Sequence, residues 1–492
     1  MEMFLTIWSY FVNNVLTKPQ YFVGLMVLIG YMLLRHKWYD TLAGVIKAVV
    51  GFMILQVGSG GLVSNFRPVL VGLKDKFQLD AMVIDPYFGQ NAVDAGVGEV
   101  FGRTFGDVMF LLLIAFIVNI LVVRFSRITK MRALFTTGHV QVQQAATAFW
   151  LILFALPFLN NTMLLVVMAI VLGLYWAVGS NLTVEPTQDL TEGAGFCIAH
   201  QQMFGIWAVA KIAEKMGRKN GKVRRMEDIE LPGFMSIFNE NLVSTALLMT
   251  IFFGAILVIL GQDYLISAGF MSETQSFLFY ILDVCLKFSV YLTVLQLGVR
   301  TFVTELTASF QGIADKLLPG AVPGVDCAVA YGFGSPNAVP VGFLAGALGQ
   351  FLAIIGLIVL KSPTIVIAGF VPVFFDNATL AVYANNKGGF KAAVILPFFA
   401  GIIQVLGSAL IATFVGMASY GGYLGMLDWA TIWPGITFVL KYLGMAGIAI
   451  IIIVFLAIPQ LQYRANKEGY FKCTEDYDEY ARLKAEKEAQ RG

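Results

Sequence analysis

The chain has 492 residues, 58% hydrophobic and only 13% charged, with 33 basic against 31 acidic side chains and a net charge of +2. Soluble domains carry roughly 25% charged residues, so this composition, with a mean hydropathy of +0.76, excludes a soluble globular protein. The small net charge identifies no partner by itself, and no nucleic acid is expected. Cys197, Cys285, Cys327 and Cys473 are scattered without a CxxC spacing, which suggests neither a disulfide framework nor a metal site.

Met1 to Thr17 holds one charge, Glu2, and lacks the basic start of a cleaved signal; an interfacial helix is expected there. Apolar runs long enough to cross a bilayer then predict spans at 20–34, 40–60, 105–125, 133–158 and 163–180. A second set is predicted at 234–261, 277–300, 337–360, 365–385 and 392–417, and a last span at 428–457. The expected fold class is an all-α polytopic membrane protein of about eleven transmembrane helices. Between the clean spans lie 61–104, 181–215 and 301–336, which mix apolar runs with Gly, Pro, Asn, Gln and lone charges. Nonhelical backbone at membrane depth is tolerated only against protein or a cavity, so these read as re-entrant hairpins.

Basic residues cluster at Arg35-His36-Lys37, Arg124 to Arg132, Lys211 to Arg225 (seven Lys and Arg), Lys387, Lys391 and the tail after Gln460. All fall on one side if the N-terminus is outside and the C-terminus inside, as the positive-inside rule requires. Stretch 61–104, predicted outside, also carries basic residues, but Asp75, Asp80, Asp85, Asp94 and Glu99 balance them.

The chain repeats itself at an offset of about 240 residues. Leu55-Gln56-Val57-Gly58 returns as Leu295-Gln296-Leu297-Gly298, and Gly72-Leu-Lys-Asp-Lys76 as Gly312-Ile-Ala-Asp-Lys316. Five spans per half is an odd number, so the two repeats are inverted, the arrangement that gives alternating access about a site at their junction. The expected organisation is a first repeat over 1–210, a basic cytoplasmic connector over 211–233, a second repeat over 234–425, a final span over 426–460 and a charged cytoplasmic tail over 461–492.

His occurs only at 36, 139 and 200. His36 sits in a basic loop and reads as solvated. His139 and Gln143 are four residues apart, on one face of a helix, and His200-Gln201-Gln202 forms a second amide-rich group. Such side chains suit hydroxyls and carbonyls, or simply tie helices together. No His, Cys and carboxylate set at ligand spacing accompanies them, so no metal is expected. Asp326, in Pro323-Gly-Val-Asp-Cys-Ala, and its approximate repeat mate Asp85, in Asp85-Pro86-Tyr87, are carboxylates at span breaks. An intramembrane acid is functional by default; Asp326 could bind a polyol, take up a proton, pair with Arg300 or cap a hairpin. Asp376-Asn377 and Pro336-Asn337 read equally as turns and as ligand contacts. Gln56-Val-Gly58-Ser59-Gly-Gly61 is expected to end a span with glycines that let backbone approach a ligand; it lacks the Lys-Ser/Thr of a phosphate loop.

Taken together, these residues resemble the ascorbate-specific permease family of the bacterial phosphotransferase system. The resemblance rests on Gly51 to Gly60, Thr137-Gly-His139 with Gln143-Gln144, Glu185-Pro-Thr-Gln188, Gly195-Phe196 through His200-Gln-Gln202, Leu231-Pro-Gly, Pro319-Gly-Ala with Asp326-Cys-Ala328, Pro336-Asn-Ala338, and Gly369-Phe-Val-Pro with Asn377-Ala-Thr379. It implies a homodimer in the bacterial inner membrane, in contact with lipid, with a dimerising scaffold domain and a mobile core domain that carries L-ascorbate. It implies that a separate cytosolic B component bearing a phosphocysteine phosphorylates the substrate on arrival, so the chain itself is not an enzyme and needs no cofactor. The residues then expected to hold the substrate are Gln56, Gly58, Ser59, Asp85, Pro86, Tyr87, His139, Gln143, His200, Gln201, Asp326, Ala328, Pro336 and Asn337. Pro86 departs from the family's Asp-Thr-Tyr stretch and removes a hydroxyl. The residues themselves leave a second class open: a proton- or sodium-coupled carrier of a small sugar acid or polyol. A membrane-embedded lipid-phosphate enzyme would need clustered acids holding magnesium, and none is seen. Cys473 sits in the charged tail and is not expected to carry phosphate.

Overall fold

The computed structural model describes residues 10–11, 14–15, 18–77, 80–219, 224–229, 233, 237, 240–335 and 337–489. The expected interfacial helix at Met1 to Thr17 lies largely outside them, as do Pro336 and parts of the basic connector. By length and composition, six helices among the described residues are able to cross a membrane: Trp38–Gly58, Phe105–Arg124, Asn161–Thr191, Ala338–Val359, Pro372–Phe414 and Leu427–Ala465.

The chain opens with α1 (Pro19–Leu33) and α2 (Trp38–Phe77). Strand β1 (Asp80–Ile84) leads into α3 (Pro86–Phe101), followed by α4 (Phe105–Arg124). Then come β2 (Ala133–Phe135), α5 (Gly138–Ala155), α6 (Asn161–Thr191), β3 (Cys197–Ile198) and α7 (Met203–Lys219). Helices α8 (Asn241–Leu260) and α9 (Phe277–Leu317) precede β4 (Val322–Val325) and a 3₁₀ turn, Cys327–Gly332. The remainder is α10 (Ala338–Val359), β5 (Thr364–Ala368), a π turn (Pro372–Asp376), α11 (Asn377–Phe414), β6 (Gly422–Tyr423), α12 (Leu427–Ala465), α13 (Gly469–Glu475) and α14 (Tyr477–Ala489).

Several expectations need correction. The span predicted at 40–60 matches Trp38–Gly58, but the helix does not break at its glycines: α2 is 40 residues long, and α9 41. Glycine inside a helix costs only about 1 kcal/mol relative to alanine, and here close packing offsets it. A Cβ on Gly298 would lie 2.3 Å from the Leu55 nitrogen, and one on Gly51 2.7 Å from the Phe302 nitrogen, so small residues let α2 and α9 cross backbone to backbone. The same crossing holds Glu305 of α9 to the Tyr31 hydroxyl at 2.5 Å and to Lys47 at 3.2 Å. Helices α1, α2, α8 and α9 pack on one another, while α3, α4, α6, α10 and α11 pack against two small sheets.

Those sheets correct the all-α expectation. They account for parts of 61–104, 181–215 and 301–336, where the described residues are helix ends and short strands followed by new helices. One sheet has the order β5-β1-β6 and the other β2-β4-β3, all parallel. In apolar surroundings the peptide groups of a broken helix must find partners, and short strands supply them. The stretch predicted as a span at 365–385 begins with β5, and the predicted break before 392 is a kink at Gly389 (φ 69°) inside α11. The tail is folded: α13 and α14 pack back on the rest of the chain. The Arg132 guanidinium lies 3.8 Å from the Tyr470 ring centre, and Asp189 of α6 binds Lys484 at 2.6 Å as well as Lys387.

Candidate functional site

Strands β2, β3 and β4 run parallel, so their C-terminal ends open on the same edge of the sheet, where loops after parallel strands build sites. Phe135 pairs with Gly324, and Ile198 with Val325. The residues that follow each strand therefore converge: Thr136 to His139 after β2, Ala199 to Gln202 after β3, and Asp326 after β4. The register continues past the strands, with Thr136 N–H donating to the Gly324 carbonyl at 3.2 Å and Ala199 N–H to the Val325 carbonyl at 2.9 Å. Gly324 is required for this closeness; a Cβ there would lie 2.5 Å from the Ala199 Cβ and 2.9 Å from the Leu134 oxygen.

At this edge His139 Nε2 lies 3.4 Å and His200 Nε2 3.9 Å from Asp326 Oδ2. The other Asp326 oxygen accepts the Ala328 N–H at 2.9 Å, capping the 3₁₀ turn. Gln201 Nε2 donates to Gln143 Oε1 at 3.0 Å, and the Tyr87 side chain lies beside Gln143. Asp85 caps α3 as Asp326 caps its turn: it accepts the Tyr87 N–H at 3.0 Å, and also the Val371 N–H at 3.2 Å. Pro86 is the first residue of α3, where its missing N–H costs nothing. Phe302 of α9 stands edge-on to His139, ring centres 6.0 Å apart.

The structure thus gathers Asp85, Pro86, Tyr87, His139, Gln143, His200, Gln201, Asp326 and Ala328. It does not join the others to them. Gln56 is exposed and Gly58 buried on α2, and no contact of either with the His–Asp group is seen among the described residues; the side chain of Ser59 and all of Pro336 lie outside those residues, as does the Arg300 side chain. Asn337 instead donates to the Met226 and Ile229 carbonyls, at 3.3 and 3.1 Å, and holds the connector.

Sequence reasoning missed the residues that fix this group. Gln144 receives the Trp176 N–H at 2.6 Å and donates to the His200 carbonyl at 3.1 Å, while Gln202 Oε1 receives His200 Nδ1 at 2.8 Å. Both amides stand in the polar clusters, but nothing in their spacing separates positioning from binding. In a second buried network Asp428 was missed, while Asp376 reads from the sequence equally as a turn and as a ligand contact. Asp428 accepts the Tyr175 hydroxyl and the Phe204 and Gly205 N–H groups at 2.9–3.0 Å, and Asp376 accepts the Leu427 N–H at 2.7 Å and Gln404 Nε2 at 2.6 Å. These acids cap helix starts inside the core.

Two buried atoms at the edge, His139 Nδ1 and Gln201 Oε1, have no hydrogen-bond partner among the described residues. Buried polar groups left this way are costly, and they suit a ligand rich in hydroxyls and carbonyls. Cys473 is buried and its thiol is pushed up to about 11 by that burial, against the pull of Arg132. At neutral pH it is a protonated thiol, unsuited to accept a phosphoryl group.

Residues 14–435 match the family EIIC-GAT, described as the sugar-specific permease component of the phosphotransferase system. A protein of Mycoplasma pneumoniae (strain ATCC 29342 / M129), named as the ascorbate-specific EIIC component of that system, is 34% identical over 437 residues. The match covers 80% of this chain and 65% of the relative, so the chain spans just under two thirds of that relative's length.

Proposed function

The chain belongs to the sugar-specific permease family of the phosphotransferase system, and we propose that it carries L-ascorbate into a bacterial cell for phosphorylation by a separate cytosolic B component. The observation that carries this is the buried edge formed by His139, Gln143, His200, Gln201 and Asp326, with hydrogen-bonding atoms still unmet. Ascorbate is a small monoanionic enediol lactone with two further hydroxyls. His139 Nδ1 and Gln201 Oε1 meet its hydroxyls and carbonyl, Asp326 accepts a hydroxyl, and Asp85 holds Tyr87 at the rim. The relative's name supports the choice of substrate.

Transport is by alternating access of two inverted repeats. Supporting this, α2 and α9 are of nearly equal length, and each leads to a strand and then a capping aspartate, Asp85 or Asp326. The two sheets have matching orders in which β1 and β4 each sit at the centre between strands from the other part of the chain. Helices α1, α2, α8 and α9 form the scaffold on which a homodimer is built, and Phe302 brings that scaffold against the core. The N-terminus is outside and the C-terminus cytoplasmic, following the basic segments. The phosphoryl group comes from the phosphocysteine of the B component, docked beside Lys211 to Arg225.

The test uses proteoliposomes that hold the full chain and enclose phosphorylated B component, supplied with labelled L-ascorbate. Labelled ascorbate phosphate inside, and none without the phosphorylated partner, is the expected outcome. Free ascorbate accumulating under a proton or sodium gradient alone overturns the coupling.

A further inference from the structure

We propose that His139, His200 and Asp326 form a binding site for a divalent transition-metal ion of the zinc class. Sequence spacing gave no hint of it, because the three ligands follow three different strands and meet only through the β2-β4-β3 sheet. One nitrogen of each imidazole and one carboxylate oxygen lie within 4.8 Å of one another. In a tetrahedral zinc site with bonds near 2.1 Å, ligand atoms stand roughly 3.4 Å apart. The His139–Asp326 separation is already 3.4 Å, and the His200–Asp326 separation of 3.9 Å needs only a small inward turn.

A second, independent observation concerns the proton on His200. Its Nδ1 faces Gln202 Oε1 at 2.8 Å, and Gln202 Nε2 is turned to the Phe375 carbonyl at 3.5 Å. That arrangement puts the proton of neutral His200 on Nδ1 and leaves the Nε2 lone pair facing Asp326. A lone pair facing a carboxylate calls for a cation or a donor between them. Metal-bound histidines are oriented this way, with the remote nitrogen donating to an oxygen. Asp326 is prepared likewise: Oδ1 is held by the Ala328 N–H, and Oδ2 is directed at both histidines. The side chains of His139 and His200 are 8% and 6% exposed and that of Asp326 21%, so an ion has a way in and little water to compete with it. Three protein ligands leave a fourth position open, and Gln201 Oε1, from the same strand end as His200, has no partner among the described residues. Two imidazoles and one carboxylate favour zinc, cobalt or nickel over magnesium and calcium. On the proposed transport function, an ion here occupies the space of the substrate, and zinc and ascorbate exclude one another.

The experiment titrates the purified full chain, stripped of metal and held in detergent, with Zn²⁺ and separately with Mg²⁺ by calorimetry. One Zn²⁺ per chain at micromolar concentration and no response to Mg²⁺ is expected. His200→Ala and Asp326→Asn should each weaken Zn²⁺ binding at least tenfold, and Gln202→Leu, which removes the acceptor that orients His200, by about tenfold. The unmutated protein loaded with Co²⁺ should show the intense visible absorption of a four-coordinate site, which needs no variant to fold. No saturable Zn²⁺ binding, unchanged affinity in His200→Ala and Asp326→Asn, or a weak octahedral Co²⁺ spectrum overturns the proposal. Labelled ascorbate binding, measured with and without Zn²⁺, separates the two ideas. If metal-free protein binds no ascorbate, the substrate assignment fails while the zinc titration stands; if ascorbate binds and Zn²⁺ leaves its affinity unchanged, the shared space is refuted.

Discussion

Gly324→Ala should weaken substrate binding by ~5- to 150-fold without touching the substrate. Gly324 lies in β4, two residues before Asp326, and an added methyl would sit 2.5 Å from the Ala199 Cβ and 2.9 Å from the Leu134 carbonyl oxygen. Carbon atoms settle no closer than roughly 3.5 Å, so β3 and β4 must part by about 1 Å. The carbonyl is backbone and cannot swing away, which leaves β3 to move and carries His200 from its 3.9 Å distance to Asp326. Overpacking of this kind costs ~1–3 kcal/mol of stability. Loss of one buried, charge-assisted contact at the site costs a similar ~1–3 kcal/mol of binding, or ~5- to 150-fold in Kd. The assay is equilibrium binding of labelled ascorbate to detergent-solubilised protein, with thermal unfolding measured alongside. Gly332→Ala is the control, because nothing lies within 4 Å of the added Cβ. Parent-like affinity in a folded Gly324→Ala protein would refute the claim that the close β3–β4 approach builds the site.

His200→Ala and Gln143→Leu should each weaken ascorbate binding by ~5- to 150-fold, and equilibrium binding that matches the parent in both would move the site elsewhere. Replacing several of Lys211, Lys215, Arg224 and Arg225 with Gln should slow association with the phosphorylated B component and flatten its salt dependence; rates that are the same for the parent and the Gln variant at both low and high salt leave these charges a topological role only. Asp189→Asn removes the shared partner of Lys387 and Lys484 and should loosen α14 by about 1–3 kcal/mol, discounted for partial exposure. Limited proteolysis after Ala465 reads this directly, and an unchanged cleavage rate would show that the tail is held by other contacts.

The long apolar helices were legible because hydropathy and length are local properties. The cap at Asp326 was legible as one of several roles, because an acid at a break can bond the N–H groups of the turn that follows; that Asp85 does the same for α3 was not. The course of α2 through Gly58 to Gly61 was not, because glycine signals a break in isolation and only the crossing with Gly298 offsets it. The strands were hidden as well. Runs of two to five apolar residues beside apolar helices carry no period that marks them. Their pairing joins residues nearly two hundred positions apart, Ala133 with Val322. Each polar cluster was visible alone, and that His139, His200 and Asp326 share one edge depends on that pairing. For the same reason Asn337, equally polar, proved to hold the connector.

The interleaved sheets bear on how the chain is made. During synthesis β1 emerges long before either of its neighbours, β5 at Thr364 and β6 at Gly422, and β2 and β3 wait for Val322 before they can be joined. Until then, peptide groups of three strands stand unpaired in an apolar setting that penalises them. The final closure is therefore late and nonlocal, and slow by the usual dependence of folding on sequence separation. A ribosome stalled before Val322 leaves β2 and β3 without the strand that joins them. A gene split within the basic connector would yield two fragments, neither able to satisfy its own strands, which must be co-expressed to be retained.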